Sequence, residues 1–179
     1  MDIRCSSMGA STRVTQMMTA ILVAHVVISI VAIVAGLPVA AELLAGRFSR
    51  WTVAFLWTTV ATSASGYLLP ATELLPSHIV EAISLVALAI AIVGLYRKRL
   101  TGWWRPAFVI CSMLALYLNL FVGVVQAFQK IPVLTALAPT QSEPPFAIAQ
   151  GVLFLLFIVV VVLAVRRSLR VGAPPNVFA

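Results

Sequence analysis

Glu73, His78 and Glu81 crowd the stretch "ATELLPSHIVEAISL" (Ala71 to Leu85), which lies between two strongly apolar runs. An imidazole beside carboxylates raises the question of a reactive site on the rim of a membrane. Joined by Glu143 from elsewhere in the chain, the same groups could hold a divalent cation through oxygen ligands. Their local spacing matches no metal motif, and a plainer role is available. Pro70 and Pro76 punctuate the stretch, Ser77 suits a helix N-cap, and Glu81 suits a first turn, where the helix dipole favours negative charge. Glu73, His78, Glu81 and, from another run, Lys130 therefore form a candidate outer-rim cluster whose first duty is to turn the chain.

A second set of polar residues lies inside the apolar runs at helical spacing. Ser112, Ala115, Asn119, Gly123, Gln126 and Lys130 recur every three or four positions, which places them on one helix face. Thr58, Thr62 and Ser65 make a similar stripe, flanked by Thr59, Ser63 and Gly66; His25, Ser29, Ala32 and Gly36 make a third. The candidate intramembrane polar face is thus His25, Ser29, Thr58, Thr62, Ser112, Asn119 and Gln126. Interhelical packing is the expected use, through hydrogen bonds worth about 0.6 kcal/mol each. The sharper alternative is a small polar cavity opening outward, able to take a substrate or a quinone headgroup.

The two histidines raise haem b as a further alternative, since bis-histidine ligation needs two imidazoles at one depth on facing helices. His78 begins its helix near the surface. His25 lies about 16 Å deep if the first run enters lipid at Val14, and about 9 Å deep if Thr15 to Thr19 stay in the interface. Only the second case lets the pair meet. Cys5 and Cys111 form neither a metal spacing nor a disulfide framework, and no phosphate loop, GxSxG or HExxH motif occurs. The expectation is no metal, no resident cofactor and no enzymatic activity.

What must position these residues follows from composition. Hydrophobic residues make up 62% of the 179 residues and charged residues 9%, against roughly 25% charged in an average soluble domain. A water-soluble fold of this size cannot hide so much apolar surface, so the surplus faces lipid. The net charge of +7 comes from short basic clusters beside apolar runs, with no basic face, which argues against nucleic acid. The fold class expected is an all-α polytopic transmembrane helix bundle in a single domain. It has five spans at about 14–36, 51–69, 77–96, 105–129 and 145–165, each long enough for about 30 Å of hydrocarbon.

Arg47, Arg50, Arg97, Lys98, Arg99, Arg105, Arg166, Arg167 and Arg170 share one side of that topology, against Arg4, Arg13 and Lys130 on the other. The positive-inside rule makes the heavy side cytoplasmic, with the N-terminus outside and the C-terminus inside. Trp51, Tyr96, Trp103 and Trp104 are placed as anchors at the inner ends and Tyr67 near an outer one. A signal peptide cut after "PVAA" (Pro38 to Ala41) is rejected, because the apolar run is too long and cleavage puts "RKR" (Arg97 to Arg99) outside. The inner clusters should attract anionic lipid, at about 1 kcal/mol per basic residue. The proline-rich connection from Ile131 to Phe146 is expected to lie along the interface, with a lid over the bundle mouth as the alternative.

"LLPSHIVEAISLVALAIAI" (Leu74 to Ile92) and "LYLNLFVGVVQAFQKIPVLTALAPTQSEPPF" (Leu116 to Phe146) resemble small multi-span proteins of bacterial inner membranes. The resemblance implies a multi-pass protein of the bacterial cytoplasmic membrane and supplies no catalytic residue. The function expected from the sequence is a non-enzymatic subunit or accessory factor, packed against a larger membrane complex or its own copies. A small transporter or channel component, and a haem- or quinone-binding redox protein using His25 and His78, are the alternatives.

Overall fold

The computed structural model describes residues 3–67 and 76–170, with side chains at residues 13, 15–67 and 78–170. Glu73 and Pro70 lie outside these described residues. The chain is all-helical, with no strand among the described residues: α1 (Ile3–Leu44), α2 (Arg50–Gly66), α3 (Pro76–Ile92) extended by a π turn (Val93–Arg97), α4 (Trp104–Lys130), the short α5 (Pro132–Leu137) and α6 (Pro144–Arg170). Four stretches are long and apolar enough to cross a membrane: Thr15–Leu44, His78–Arg97, Trp104–Lys130 and Pro144–Arg170. The fifth, α2, has 17 residues, about 26 Å of helix.

The first helix departs from the expected end near Gly36. It runs on through Pro38 to Leu44, although the proline leaves the Val34 carbonyl without its helical donor. Packing outweighs that loss, because Val39 and Leu43 are buried in the core. The stop comes at Gly46, whose φ of 71° is left-handed. Its N–H donates to the Leu43 carbonyl at 3.0 Å and the Arg47 N–H to the Glu42 carbonyl at 2.8 Å, the paired closure of a Schellman end. Three residues later Ser49 caps α2, accepting from the Trp51 N–H at 3.1 Å. Its own hydroxyl donates to Glu42 Oε2 at 2.7 Å, so the end of one helix orients the start of the next. Ser77 lies inside α3, which includes Pro76.

Successive helices run antiparallel. Phe128 meets Phe146 edge-on at 5.4 Å, Gln150 Nε2 donates to the Phe121 carbonyl at 3.2 Å, and Tyr117 stacks on Phe157 at 4.6 Å. At the opposite end the buried Arg105 donates to the Gly46 carbonyl at 3.5 Å and lies 5.5 Å over the Phe48 ring. The start of α4 is thereby tied to the turn between α1 and α2. All nine of the basic residues from Arg47 to Arg105 and from Arg166 to Arg170 gather at this end, opposite Lys130. The turn at Lys98–Trp103 is tight: Leu100 holds a left-handed φ of 55° and is kept there by its buried side chain and by its N–H on the Gly94 carbonyl at 3.0 Å.

The core joins α1, α2, α3 and α4 around Val39, Leu43, Phe55, Leu56, Leu88, Leu95, Phe108 and Leu116. Gly36 makes the closest approach possible. A Cβ there would meet the Leu116 side chain and lie 3.1 Å from the Phe55 ring. By contrast, α6 packs on α4 and α1 while fully burying only Ala164 and Ser168. Leu155, Val159 and Leu163 stand exposed along it, as do Ile30, Val34 and Leu37 along α1. Those faces need a hydrocarbon environment. The connection to α6 folds α5 back on the end of α4, with the Thr135 hydroxyl donating to the Phe128 carbonyl at 2.8 Å.

Two predictions follow from this packing. Gly36→Val overfills the Phe55–Leu116 contact and should lower stability by about 1–3 kcal/mol, whereas Gly151→Ala, with nothing within 4 Å of its added methyl, should leave it within about 0.5 kcal/mol; thermal unfolding in one detergent compares them. The second concerns Glu143. Desolvation pushes its carboxyl up, but the Thr140 hydroxyl and the N–H groups of Thr140 and Ser142 outweigh it, at 2.9, 3.1 and 3.1 Å, and hold it below the usual range. With a depressed folded value, the stabilisation is present above the unfolded pKa, about 4.3, and is lost as pH falls through the folded one. A Glu143 carboxyl titrating at or above the ordinary value by NMR contradicts this.

Candidate functional site

A cavity of about 380 Å³ lies between α1, α2, α3 and α4 in the half of the bundle that ends at Lys130. Its polar lining is His25 and Ser29 from α1, Thr62 and Ser63 from α2, Glu81 and Ser84 from α3, and Asn119, Gln126 and Lys130 from α4. Leu22, Val26, Ile30, Ile33, Val80, Leu118 and Val122 supply the apolar wall. Gln126 and Lys130 are exposed and mark the mouth. Below Ile33 and Asn119 the helices close on the layer of Gly36, Phe55 and Leu116.

Hydrogen bonding around it follows from what each helix leaves unspent. Ser29 donates to the His25 carbonyl at 2.7 Å and Thr62 to the Thr58 carbonyl at 3.0 Å, the back-bonding typical of hydroxyls in membrane helices. Ser65 donates to the Thr62 carbonyl at 2.9 Å. Its oxygen also lies 2.9 Å from His25 Nδ1. Two bonds cross between helices: Ser63 to Ser84 at 3.1 Å, and Asn119 Nδ2 to Thr59 at 3.4 Å.

Glu81 is the acidic group of the wall. It lies more than a turn inside α3, where its carboxylate presses against Gly66; a Cβ at Gly66 would collide with both carboxylate oxygens. Only a glycine admits the acid here. Glu81 Oε2 is buried and, among the described residues, no donor reaches it; His78 acts on it electrostatically.

The cavity thus brings together His25, Ser29, Thr62, Asn119 and Gln126 from the polar stripes and Glu81 and Lys130 from the rim. Three residues of the sequence reading stand apart. Thr58 back-bonds to the Ala54 carbonyl at 2.7 Å and does not line the cavity. Ser112 is buried deeper in α4, its hydroxyl without a partner. His78 stacks on Tyr67 at 5.6 Å, while the Tyr67 hydroxyl donates to the His78 carbonyl at 3.0 Å. His25 faces the cavity and His78 does not, so the histidines serve different surroundings. Among the described residues no three His, Cys, Asp or Glu side chains come together as metal ligands. Sequence reading passed over Ser84, although it follows Glu81 by three positions and so shares its face.

If the Ser63–Ser84 bond joins α2 to α3, a double-mutant cycle of Ser63→Ala and Ser84→Ala should return a coupling of about 0.6 kcal/mol. The control pair Thr58→Val and Ser84→Ala should return none; equal coupling in both cycles contradicts the geometry. No family model, curated protein or solved structure matches the chain, so the reading of function starts from this cavity.

Proposed function

We propose that the chain crosses the bacterial cytoplasmic membrane five times, N-terminus outside and C-terminus inside, and acts as a non-enzymatic accessory subunit that holds a small ligand in its outward-facing cavity. The observation that carries the reading is the make-up of that cavity: polar groups from four helices converge on one space in the half of the bundle that ends at Lys130. The packed layer of Gly36, Phe55 and Leu116 lies beneath it, where a conducting path would need an opening. Supporting five spans, α2 has a buried face continuous with the core and lies antiparallel between α1 and α3. Support for the orientation comes from the crowding of basic side chains at the end opposite the cavity, where Arg97, Lys98, Arg99, Arg166, Arg167 and Arg170 would meet anionic lipid.

Single cysteines in a chain lacking Cys5 and Cys111 test both halves of this reading. In sealed vesicles a small impermeant maleimide should label Gln126→Cys from the outer face, Arg99→Cys from the inner face, and Ser112→Cys from neither. Labelling of Arg99→Cys from outside reverses the orientation. Labelling of Ser112→Cys from either side opens the layer beneath the cavity and makes it a path.

A further inference from the structure

We propose that the cavity binds an anionic amphiphile, a carboxylate or phosphate head on an apolar chain, with the head at Lys130 and the chain against α1. The inference rests on the reading that the cavity holds a ligand and names the chemistry of that ligand.

Charge and free donors select the head. Lys130 brings a positive charge to the lining, and the two described acids at this end of the bundle are engaged elsewhere. Glu143 accepts from Thr140 and Ser142 in its own turn. Glu81 presses its carboxylate against Gly66, with Oε2 buried. Gln126 lies one turn below Lys130, about 6 Å along α4, and among the described residues its amide N–H groups are uncommitted. Deeper in the cavity, Asn119 gives one N–H to Thr59 and keeps the other, while Ser84 accepts from Ser63 and keeps its own proton. A carboxylate or phosphate only accepts, and its bonds from an ammonium are stronger than neutral ones. The hydroxyls of Ser29 and Thr62 are back-bonded to their own helices, so that part of the wall needs no ligand to satisfy it.

The rest of the wall selects the chain. Leu22, Val26 and Ile30 are spaced by four and form one stripe of α1. All three are cavity wall and exposed surface at once. The cavity is therefore not sealed along α1, and in a membrane a chain lying on that stripe passes between protein and hydrocarbon. Polarity also runs in the order an amphiphile needs. Lys130 ends α4, a helix long and apolar enough to cross a membrane, and so stands where lipid headgroups lie. Asn119, eleven residues down the same helix, is about 16 Å deeper. Other ligand classes fit less well. An alkylammonium meets the like charge of Lys130. A neutral head, a quinone's included, gains less from an ammonium than a carboxylate does. A divalent cation needs several oxygens in one shell, and the described acids do not gather.

The full chain in phosphatidylcholine nanodiscs is titrated with octanoate, octanol and octylammonium by calorimetry, with empty nanodiscs as the blank. Octanoate should bind at least tenfold more tightly than the other two. Lys130→Gln should remove that advantage while leaving octanol unchanged, and Lys130→Arg should keep it. Gly123 also lines the cavity, and a Cβ there would lie 3.6 Å from Ile33 Cδ1. Gly123→Leu therefore puts a side chain into the space and should weaken octanoate and octanol alike. Should that variant fail to fold, Val26→Asn, at an exposed position of the same wall, should weaken both instead. Octanol or octylammonium binding as tightly as octanoate overturns the anionic head and leaves the cavity as a binding site. Unchanged octanoate affinity in Lys130→Gln does the same. Binding of none of the three, or unchanged binding when the cavity wall is altered, overturns both readings. A dioctanoyl phosphatidate that displaces octanoate identifies a lipid phosphate as the source of the head; no displacement identifies a free carboxylate.

Discussion

Hydrocarbon offers no hydrogen bonds, and that single constraint organises the polar residues of this bundle. Each one has to find its partner within the protein. Most do so locally, as when Thr58, Thr62 and Ser29 return their protons to their own helices. A few reach across, as Ser63 does to Ser84 and Asn119 to Thr59. Local bonding stabilises a helix without choosing its neighbour, so the crossing bonds and the close approach at Gly36 are what fix the order of helices. Against this background an unpartnered carboxylate oxygen at Glu81 is conspicuous. A neutral hydroxyl such as Ser112 can remain unpaired at modest cost; an acid cannot.

The helices were legible in the sequence because apolar runs of this length admit no other form in lipid. Their ends were less so. Gly36 and Pro38 read as the natural close of the first span, yet the burial of Val39 and Leu43 carries the helix on until Gly46 supplies a left-handed residue. The polar stripes were half legible. Helical spacing groups Thr58 with Thr62, but neighbouring stripes on one helix differ by a single position, about 100° of rotation. Sequence alone does not say which stripe meets another helix. The structure selects Thr59 and Ser63 for crossing bonds and leaves Thr58 to back-bond. Ser84 was invisible for the same reason, since its partner is 21 residues away on another helix.

Glu81 shows where a local rule falls short: expected in a first turn, it lies more than a turn inside α3. An acid near the start of a helix is favourable by dipole alone, and nothing in the sequence asks more of it. Its placement depends on Gly66, the last residue of α2 and one without the Cβ that would exclude the carboxylate. The signal is a pairing of two residues across a turn, each ordinary when read singly.

The two ends of the bundle are built for opposite purposes. At the basic end, Ser49 is held by Glu42, Arg105 reaches the Gly46 carbonyl and covers Phe48, Phe48 packs on Phe108 at 5.6 Å, and Leu100 is locked beneath the turn. Charged and aromatic groups close that end into one unit. At the Lys130 end the same helices leave a polar-lined space. The layer of Gly36, Phe55 and Leu116 separates the two regimes. Its tight packing lets the upper half stay open, because stability drawn from the lower core does not have to be found again around the cavity. A polar-lined space at one end of a small bundle is tolerable when the other end is packed this closely.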